Sequence, residues 1–335
     1  MVESSRSHEW PRISVIIPNF NGAAFLGPCL DSLARQVFPA WKVIVVDNGS
    51  SDESRRIVEG HPLKPEWIGL SANRGFSAAV NIGIRKAGAE AVALLNNDTE
   101  ADPRWILSGA KALIEYPEAD FFASLILQRV DRDRVDSAGA GYARDGRPYP
   151  CASGERAAKC NTRRPILATS AGAAFFPQRL FEEIGFFDES FFAYLEDVDL
   201  CLRAGLLGKT GMFLPEAVVY HHGEGTDLGD RPGGRPEDSE MRVQWIARNK
   251  ILILARDLPA SLLLRWCPRI ILGLAKSAAY HIFLSRQGSA FFSGTWQGIR
   301  AVPGLMAERH ELQKRRRITP QQLATRMREG ACATW

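Results

Sequence analysis

The sequence predicts an α/β protein with a mixed, mainly parallel sheet flanked by helices, followed by a basic, helical C-terminal region. Three observations carry this. Short β-branched runs alternate with stretches of helical spacing, polar residues suited to binding stand at the ends of those runs, and the charge balance changes sign near residue 256. Alternating strands and helices favour right-handed βαβ units. Ligands of such sheets bind at the carboxyl ends of strands.

Residues 13–18 read as a buried strand, closed by the turn pair Asn21-Gly22. Residues 23–35 place Phe25, Leu26, Cys29, Leu30 and Leu33 at helical spacing. Residues 42–47 form a second strand, stopped by Asn48, Gly49 and Ser50, and Asp52 is placed to cap a helix ending near residue 59. A weaker strand at 67–70 and a helix at 76–87, framed by Gly75 and Gly88, follow. Residues 91–95 make a fourth strand that ends in Asn96, Asn97 and Asp98, and Pro103 opens a helix reaching residue 116. Residues 129–165, rich in Arg, Gly, Asp and Pro, read as long loops or a small hairpin. A strand at 171–176, helices starting at 180 and 196, and an apolar strand within 210–222 complete this part. The density of Gly, Pro and charge at 223–237 predicts a mobile loop.

At 335 residues, with 45% hydrophobic and 24% charged, the chain has enough apolar material for a sizeable core. The six cysteines include no CxxC pair, so scattered thiols in a reduced cytosolic protein are expected. The polar first ten residues hold no secretory signal. Residues 256–335 carry 13 Lys/Arg against 4 Asp/Glu, a net of +9, while the rest of the chain is mildly acidic.

A diphosphate ester needs its charge neutralised, usually by a divalent metal held by carboxylates. Asp98, at a strand end behind two amides, suits that task, although Asn-Asn-Asp alone reads equally as a solvated turn. Asp47 is placed either to accept from a base or ribose or to cap its own turn. Gly75, after Asn73, allows close approach at a helix start, where amides can face an anion. Glu196, Asp197 and Asp199 lie beside a Phe-rich stretch; helical spacing puts Glu196 and Asp199 on one face and Asp197 elsewhere. An acidic first turn explains the charges but not the aromatic surroundings. His221 and His222 end a strand, a position open to metal contact or to a structural role. A dehydrogenase would want Gly-x-Gly-x-x-Gly after the first strand, and a nucleotidyltransferase a basic Gly-rich turn; Pro18-Asn19-Phe20-Asn21-Gly22 is neither. A nucleotide-binding module without catalysis could use the same strand ends.

Taken in order, residues 13–21, 45–52, Asn73-Arg74-Gly75-Phe76, Asn81, 94–98, Gly172 and 196–203 resemble glycosyltransferase family 2 and its GT-A fold. The resemblance implies Asp47 at the nucleoside, with Pro18 and Asn19 lining the pocket and Asn73, Gly75 and Asn81 on the donor side. Asn96, Asn97 and Asp98 stand where the family has its D-x-D motif, with Asn96 in place of the first Asp. Asp98 is then implied as a ligand to Mg²⁺ or Mn²⁺, with His221 as the second. Asp197 matches the catalytic base, with Glu196 and Gly172 on the acceptor side. The implied reaction is inverting, non-processive transfer of a sugar from a nucleoside diphosphate to a hydroxyl of a glycan or polyprenyl-linked acceptor. The set is most similar to bacterial rhamnosyltransferases, which implies dTDP-rhamnose as donor, with UDP- and GDP-sugars as alternatives. Gln244 to Arg248 does not reproduce the Q-x-x-R-W signature of processive synthases. The implied division is a tail at 1–12, a nucleotide-sugar-binding and catalytic unit at 13–238, and the helical region at 239–335.

Residues 262–284 are apolar but interrupted by Arg265, Arg269, Lys276 and His281. A span needs about 20 predominantly apolar residues, and each central Arg or Lys costs about 2.5–3.5 kcal/mol. An interfacial amphipathic helix, kinked or delayed by Pro268 and supported by the basic run at 314–317, fits better than a span. The competing expectation is an ordinary helical subdomain with a solvated basic face. No nucleic-acid motif accompanies the charge. The reading is a cytoplasmic enzyme on the inner membrane face, and removal of residues 307–335 is expected to weaken that association.

Overall fold

The structure, a computed structural model, describes residues 10–223 and 239–329. The loop expected at 223–237 falls outside it from residue 224 onward. Twelve strands and ten α-helices follow one another among the described residues. β1 (Ile13–Asn19), β2 (Trp41–Asp47), β3 (Glu66–Gly69) and β4 (Ala91–Leu95) alternate with α1 (Ala23–Ala34), α2 (Ser54–Gly60) and α3 (Phe76–Lys86). Then come β5 (Thr99–Ala101), α4 (Trp105–Glu115), β6 (Phe121–Gln128), β7 (Val135–Ser137), β8 (Ala140–Tyr142), β9 (Pro148–Pro150), β10 (Arg164–Ile166) and β11 (Ala173–Pro177). α5 (Gln178–Ile184), α6 (Glu196–Leu206) and β12 (Gly211–His221) close the sheet domain. The helices α7 (Glu240–Arg256), α8 (Ala260–Ala279), α9 (Gly288–Arg315) and α10 (Pro320–Glu329) follow.

The main sheet runs β10-β12-β6-β11-β4-β1-β2-β3, with β5 added to β12 and β7 to β6. β3, β2, β1 and β4 are parallel, and β6 and β12 run parallel to each other. β11 is antiparallel to both β4 and β6, so it is the reversed strand in the middle of the row. The expected mixed, mainly parallel sheet is therefore present. β6 went unread in the sequence, although Phe121 to Leu127 is apolar at every position but Ser124 and buried throughout. The 129–165 region supplies β7, the β8–β9 hairpin and edge strand β10.

Alternation along the strands sorts the core into two layers. Ile16, Ile44, Val46, Val92 and Leu94 share a cluster with Val80 and Ile84 of α3. Val15, Ile17, Val43, Val45, Ala93 and Leu95 share the other with Leu26, Leu30 and Leu33 of α1 and with Trp105 of α4. The C-terminal helices belong to the first layer: Leu252, Leu258, Trp266, Ile270, Leu305 and Leu323 are part of the same cluster.

α8 runs through Pro268 without interruption and ends in a π-helical turn at Tyr280–Leu284. α9 lies close against α7. A Cβ at Gly294 would meet the Gln244 carbonyl at 2.0 Å, and one at Gly298 the Arg248 carbonyl at 2.8 Å. In the basic run at 314–317, Arg315 donates to the Glu183 carbonyl at 3.0 Å and the Arg317 N–H to the Leu206 carbonyl at 2.9 Å, while Lys314, Arg315 and Arg317 stay exposed; α10 buries Leu323, Ala324 and Met327 beyond it. Cys151 is disulfide-bonded, which corrects the expectation of free thiols at that position. Cys29, Cys160, Cys201 and Cys267 are free.

Candidate active site

One chain of hydrogen bonds ties the ends of β4, β1 and β2. Asn97 Nδ2 donates to Asn19 Oδ1 at 2.7 Å, and Asn19 Nδ2 donates to Asp47 Oδ1 at 2.8 Å. Ser50 donates its hydroxyl to Asp47 Oδ1 at 2.5 Å and its N–H to Oδ2 at 2.9 Å. Asn19, Asp47 and Asn97 are buried, and Pro18 beside them is half-buried. Asp47 thus closes its own turn, the alternative left open in the sequence. Gly22 is dictated by this chain, because a Cβ there would stand 2.0 Å from Asn97 Nδ2 and 2.3 Å from Asn19 Oδ1.

Asn48, which sequence reading passed over as a turn residue, shapes the next loop. Its amide donates to Asn73 Oδ1 at 3.0 Å and to the Gly75 carbonyl at 2.9 Å, and accepts from the Arg74 N–H at 2.8 Å. Gly75 has φ +89°, and a Cβ on it would lie 2.5 Å from the Phe192 carbonyl. That carbonyl also accepts from the Ser77 N–H at 3.4 Å. At the start of α3 the Ser77 N–H is therefore turned to protein backbone and the Gly75 N–H to Asn73 Oδ1 at 2.9 Å. Asn81 is likewise turned to structure: its amide exchanges hydrogen bonds with the Phe187 backbone at 2.8 and 3.0 Å.

Asp98 and His221 do meet. β5 pairs with β12 so that His221 stands opposite Thr99, and His221 Nε2 lies 3.1 Å from Asp98 Oδ2. Asp136, from β7, holds the other ring nitrogen, Nδ1, at 2.9 Å. Burial alone would lower the His221 pKa; the hydrogen bonds to Asp136 and Asp98 outweigh it and raise the value to about 10. His222 is separate, with Nε2 3.0 Å from Glu100. The described residues contain no group of three or more metal-ligating side chains. One carboxylate and one imidazole backed by a second carboxylate suit a divalent ion that would displace the Nε2 proton of His221 and draw its other ligands from a diphosphate.

Asp197 reaches the same place from the opposite end of the sequence. Its Oδ2 accepts from the Ala171 N–H at 3.0 Å and its Oδ1 from the Val198 N–H at 2.7 Å. The next residue, Gly172, accepts from the Asn96 N–H at 2.9 Å. The 171–172 segment thus couples the Asp197 carboxylate to the strand end bearing Asn96, Asn97 and Asp98. Asn96 Oδ1 is buried with no hydrogen-bond partner, an acceptor left over beside Asp98. Burial pushes the Asp197 carboxyl above the usual range, against the pull of its two backbone N–H bonds. Glu196 is raised further, by burial and then by the charges of Asp197 and Asp199, and its Oε2 has no partner. Asp199 is different again: despite burial, Arg203 and Arg256 hold it below the usual range.

The loop before Asp197 is strained. Phe192, Tyr194 and Leu195 have φ of +60°, +69° and +68°, a conformation that costs non-glycine residues about 1–3 kcal/mol each. α7 holds it. Asn249 Nδ2 lies within 2.9, 2.9 and 2.8 Å of the Phe191, Ala193 and Tyr194 carbonyls. Arg248 donates to the Ser190 carbonyl at 2.8 Å, and Trp245 stacks on Phe192.

The family model for glycosyl transferase family 2 matches residues 14–185, and the chain belongs to that family. Among its relatives, the N-acetylglucosaminyl-diphospho-decaprenol L-rhamnosyltransferase of Mycobacterium tuberculosis is 26% identical over 234 residues, 63% of this chain and 76% of that protein. An uncharacterised protein of Sinorhizobium fredii is 27% identical over 63% of this chain, which spans 24% of that relative's length. The crystal structure of Staphylococcus aureus TarS 1–349 with UDP-GlcNAc superposes with a TM-score of 0.57 at 16% identity, covering 95% of this chain and 90% of that one. The mannosyltransferase PcManGT of Pyrobaculum calidifontis with GDP-Man and Mn²⁺ gives 0.52 at 16% identity, covering 96% and 88%. These likenesses establish the GT-A fold.

Proposed function

We propose that this chain transfers a sugar from a nucleoside diphosphate to a hydroxyl group, with inversion at the anomeric carbon. The observation that carries the reading is the coupling of Asp197 to the Asn96–Asp98 strand end through Ala171 and Gly172. A carboxylate whose pKa is pushed up by burial is a better general base than a solvated one. Asp197 accepts the acceptor's proton as the freed oxygen bonds to the anomeric carbon. The bond to the diphosphate breaks on the opposite face, and its electron pair leaves with the nucleotide. Asp98 and His221 would hold Mg²⁺ or Mn²⁺, which neutralises charge on the diphosphate when bound. A module that merely binds nucleotide would have no use for Asp197 joined to this strand end.

The mycobacterial relative's name supports rhamnose as the sugar and a polyprenyl-diphosphate-linked glycan as acceptor, and the manganese complex of the archaeal neighbour supports a divalent ion; dTDP as the donor nucleotide is our proposal. A thermal-shift panel of dTDP-, UDP- and GDP-sugars with and without Mn²⁺ tests the donor site. A ligand at 100 times its Kd stabilises by about 2.7 kcal/mol, so one donor should raise the melting temperature in a metal-dependent way. No shift with any donor would contradict the assignment.

A further inference from the structure

Apolar side chains are normally scattered singly over a soluble surface. Here they are concentrated on α8, the π-helical turn and α9. Phe283 and Leu284 at the turn are 77% and 75% exposed, and Leu264 on α8 is 78% exposed. On α9 the exposed Phe292, Trp296, Ile299, Pro303 and Met306 recur at i, i+4, i+7, i+11 and i+14, one continuous helical stripe. The opposite side of α9, with Gly294 and Gly298, is spent against α7, so the stripe is unpartnered.

Along this segment the charges have one sign. From Leu258 to Ala307 there is no Asp or Glu and there are five Lys/Arg. Arg265, Arg269, Lys276, Arg286 and Arg300 are all exposed, and Leu272 lies on the same face of α8 as the first three. Tyr280, His281 and Ser285, which frame the turn, also line a cavity of about 240 Å³ with Arg242 and Lys250. No helix among the described residues is long and apolar enough to cross a membrane.

We propose that this surface docks on an anionic lipid bilayer, with Phe283, Leu284 and Trp296 entering the interfacial layer and the five basic residues meeting lipid phosphates. Aromatic residues favour that depth, and helices that bury an apolar face while presenting Lys and Arg lie in the plane of the interface. Complementarity of charge selects the bilayer over a second copy, since two copies of this face would bring ten like charges together. The inference rests on this surface alone and stands apart from the sugar-transfer reading.

Co-sedimentation with phosphatidylcholine vesicles, with and without phosphatidylglycerol, tests it. Wild type should pellet with the mixed vesicles and far less with phosphatidylcholine alone. Arg265→Gln and Arg269→Gln should each weaken partition roughly fivefold, and Phe283→Ser with Leu284→Ser about tenfold or more. Donor-induced thermal shifts should be unchanged in all of these, which separates lost docking from misfolding. Equal partition of wild type to both vesicle types, or undiminished binding by the Phe283/Leu284 variant, would overturn the proposal. So would a dimer in sedimentation velocity that the same variant abolishes, because the face would then belong to a second copy.

Discussion

At Asp197, burial and two backbone N–H bonds act in opposite directions, and burial prevails. A base must be unprotonated, so kcat/KM should fall as pH drops through its raised pKa. The acid limb is expected to lie above about 3.9, the ordinary aspartate value. A limb at or below that value would mean that burial does not govern this carboxyl. Asp98 and His221 make a second residue-scale prediction. Asp98→Asn should abolish the Mn²⁺-dependent part of nucleotide binding in calorimetry while leaving a weaker metal-independent part; unchanged Mn²⁺ dependence would remove Asp98 from the metal site. Their pairing was legible because each ends a strand. Asp136 was not, because nothing local in the 129–165 loops marks one aspartate from its neighbours. Asn48 and Asn249 were hidden for the same reason: each acts on backbone groups distant in sequence, and a single asparagine carries no period.

Among the elements, α7 is the one whose role the sequence did not reveal. Residues 244–248 invite comparison with a known signature, yet the neighbouring Asn249 secures the strained 191–195 loop. It positions Asp197 without touching substrate. Asn249→Leu should therefore lower kcat by about 10²-fold, the cost of a misplacement near 1 Å, with donor affinity unchanged and partial recovery in Asn249→Gln. Equal losses in kcat and donor binding would indicate general damage instead. β1, β2 and β4 were readable because parallel strands buried on both faces are continuous apolar runs. β6 has nearly that character, broken only by Ser124 and set off from α4 by Pro117, so its signal was present in the sequence; β5, three residues long, lies below what periodicity can register.

Over the whole molecule, one hydrophobic cluster runs across the boundary drawn at residue 238. Arg256 of α7 is buried among Asp188, Asp199, Asp257 and Glu308 and fastens the C-terminal helices to α6. Removing one member of a buried ion network typically costs about 3–5 kcal/mol, so Arg256→Met should lower the urea midpoint by a corresponding amount. An unchanged midpoint would show that the network does not hold the two regions together. The central claim concerns sugar transfer with Asp197 as base. Its most direct test gives full-length wild type and Asp197→Asn the same nucleotide sugar, Mn²⁺ and a polyprenyl-diphosphate-linked glycan, and follows the acceptor by mass spectrometry. The account predicts a one-sugar gain for wild type, a rate lower by about 10²–10⁴-fold for Asp197→Asn, and equal donor binding by both. Near-normal transfer by Asp197→Asn, or nucleotide binding by wild type with no transfer from any donor, would contradict it.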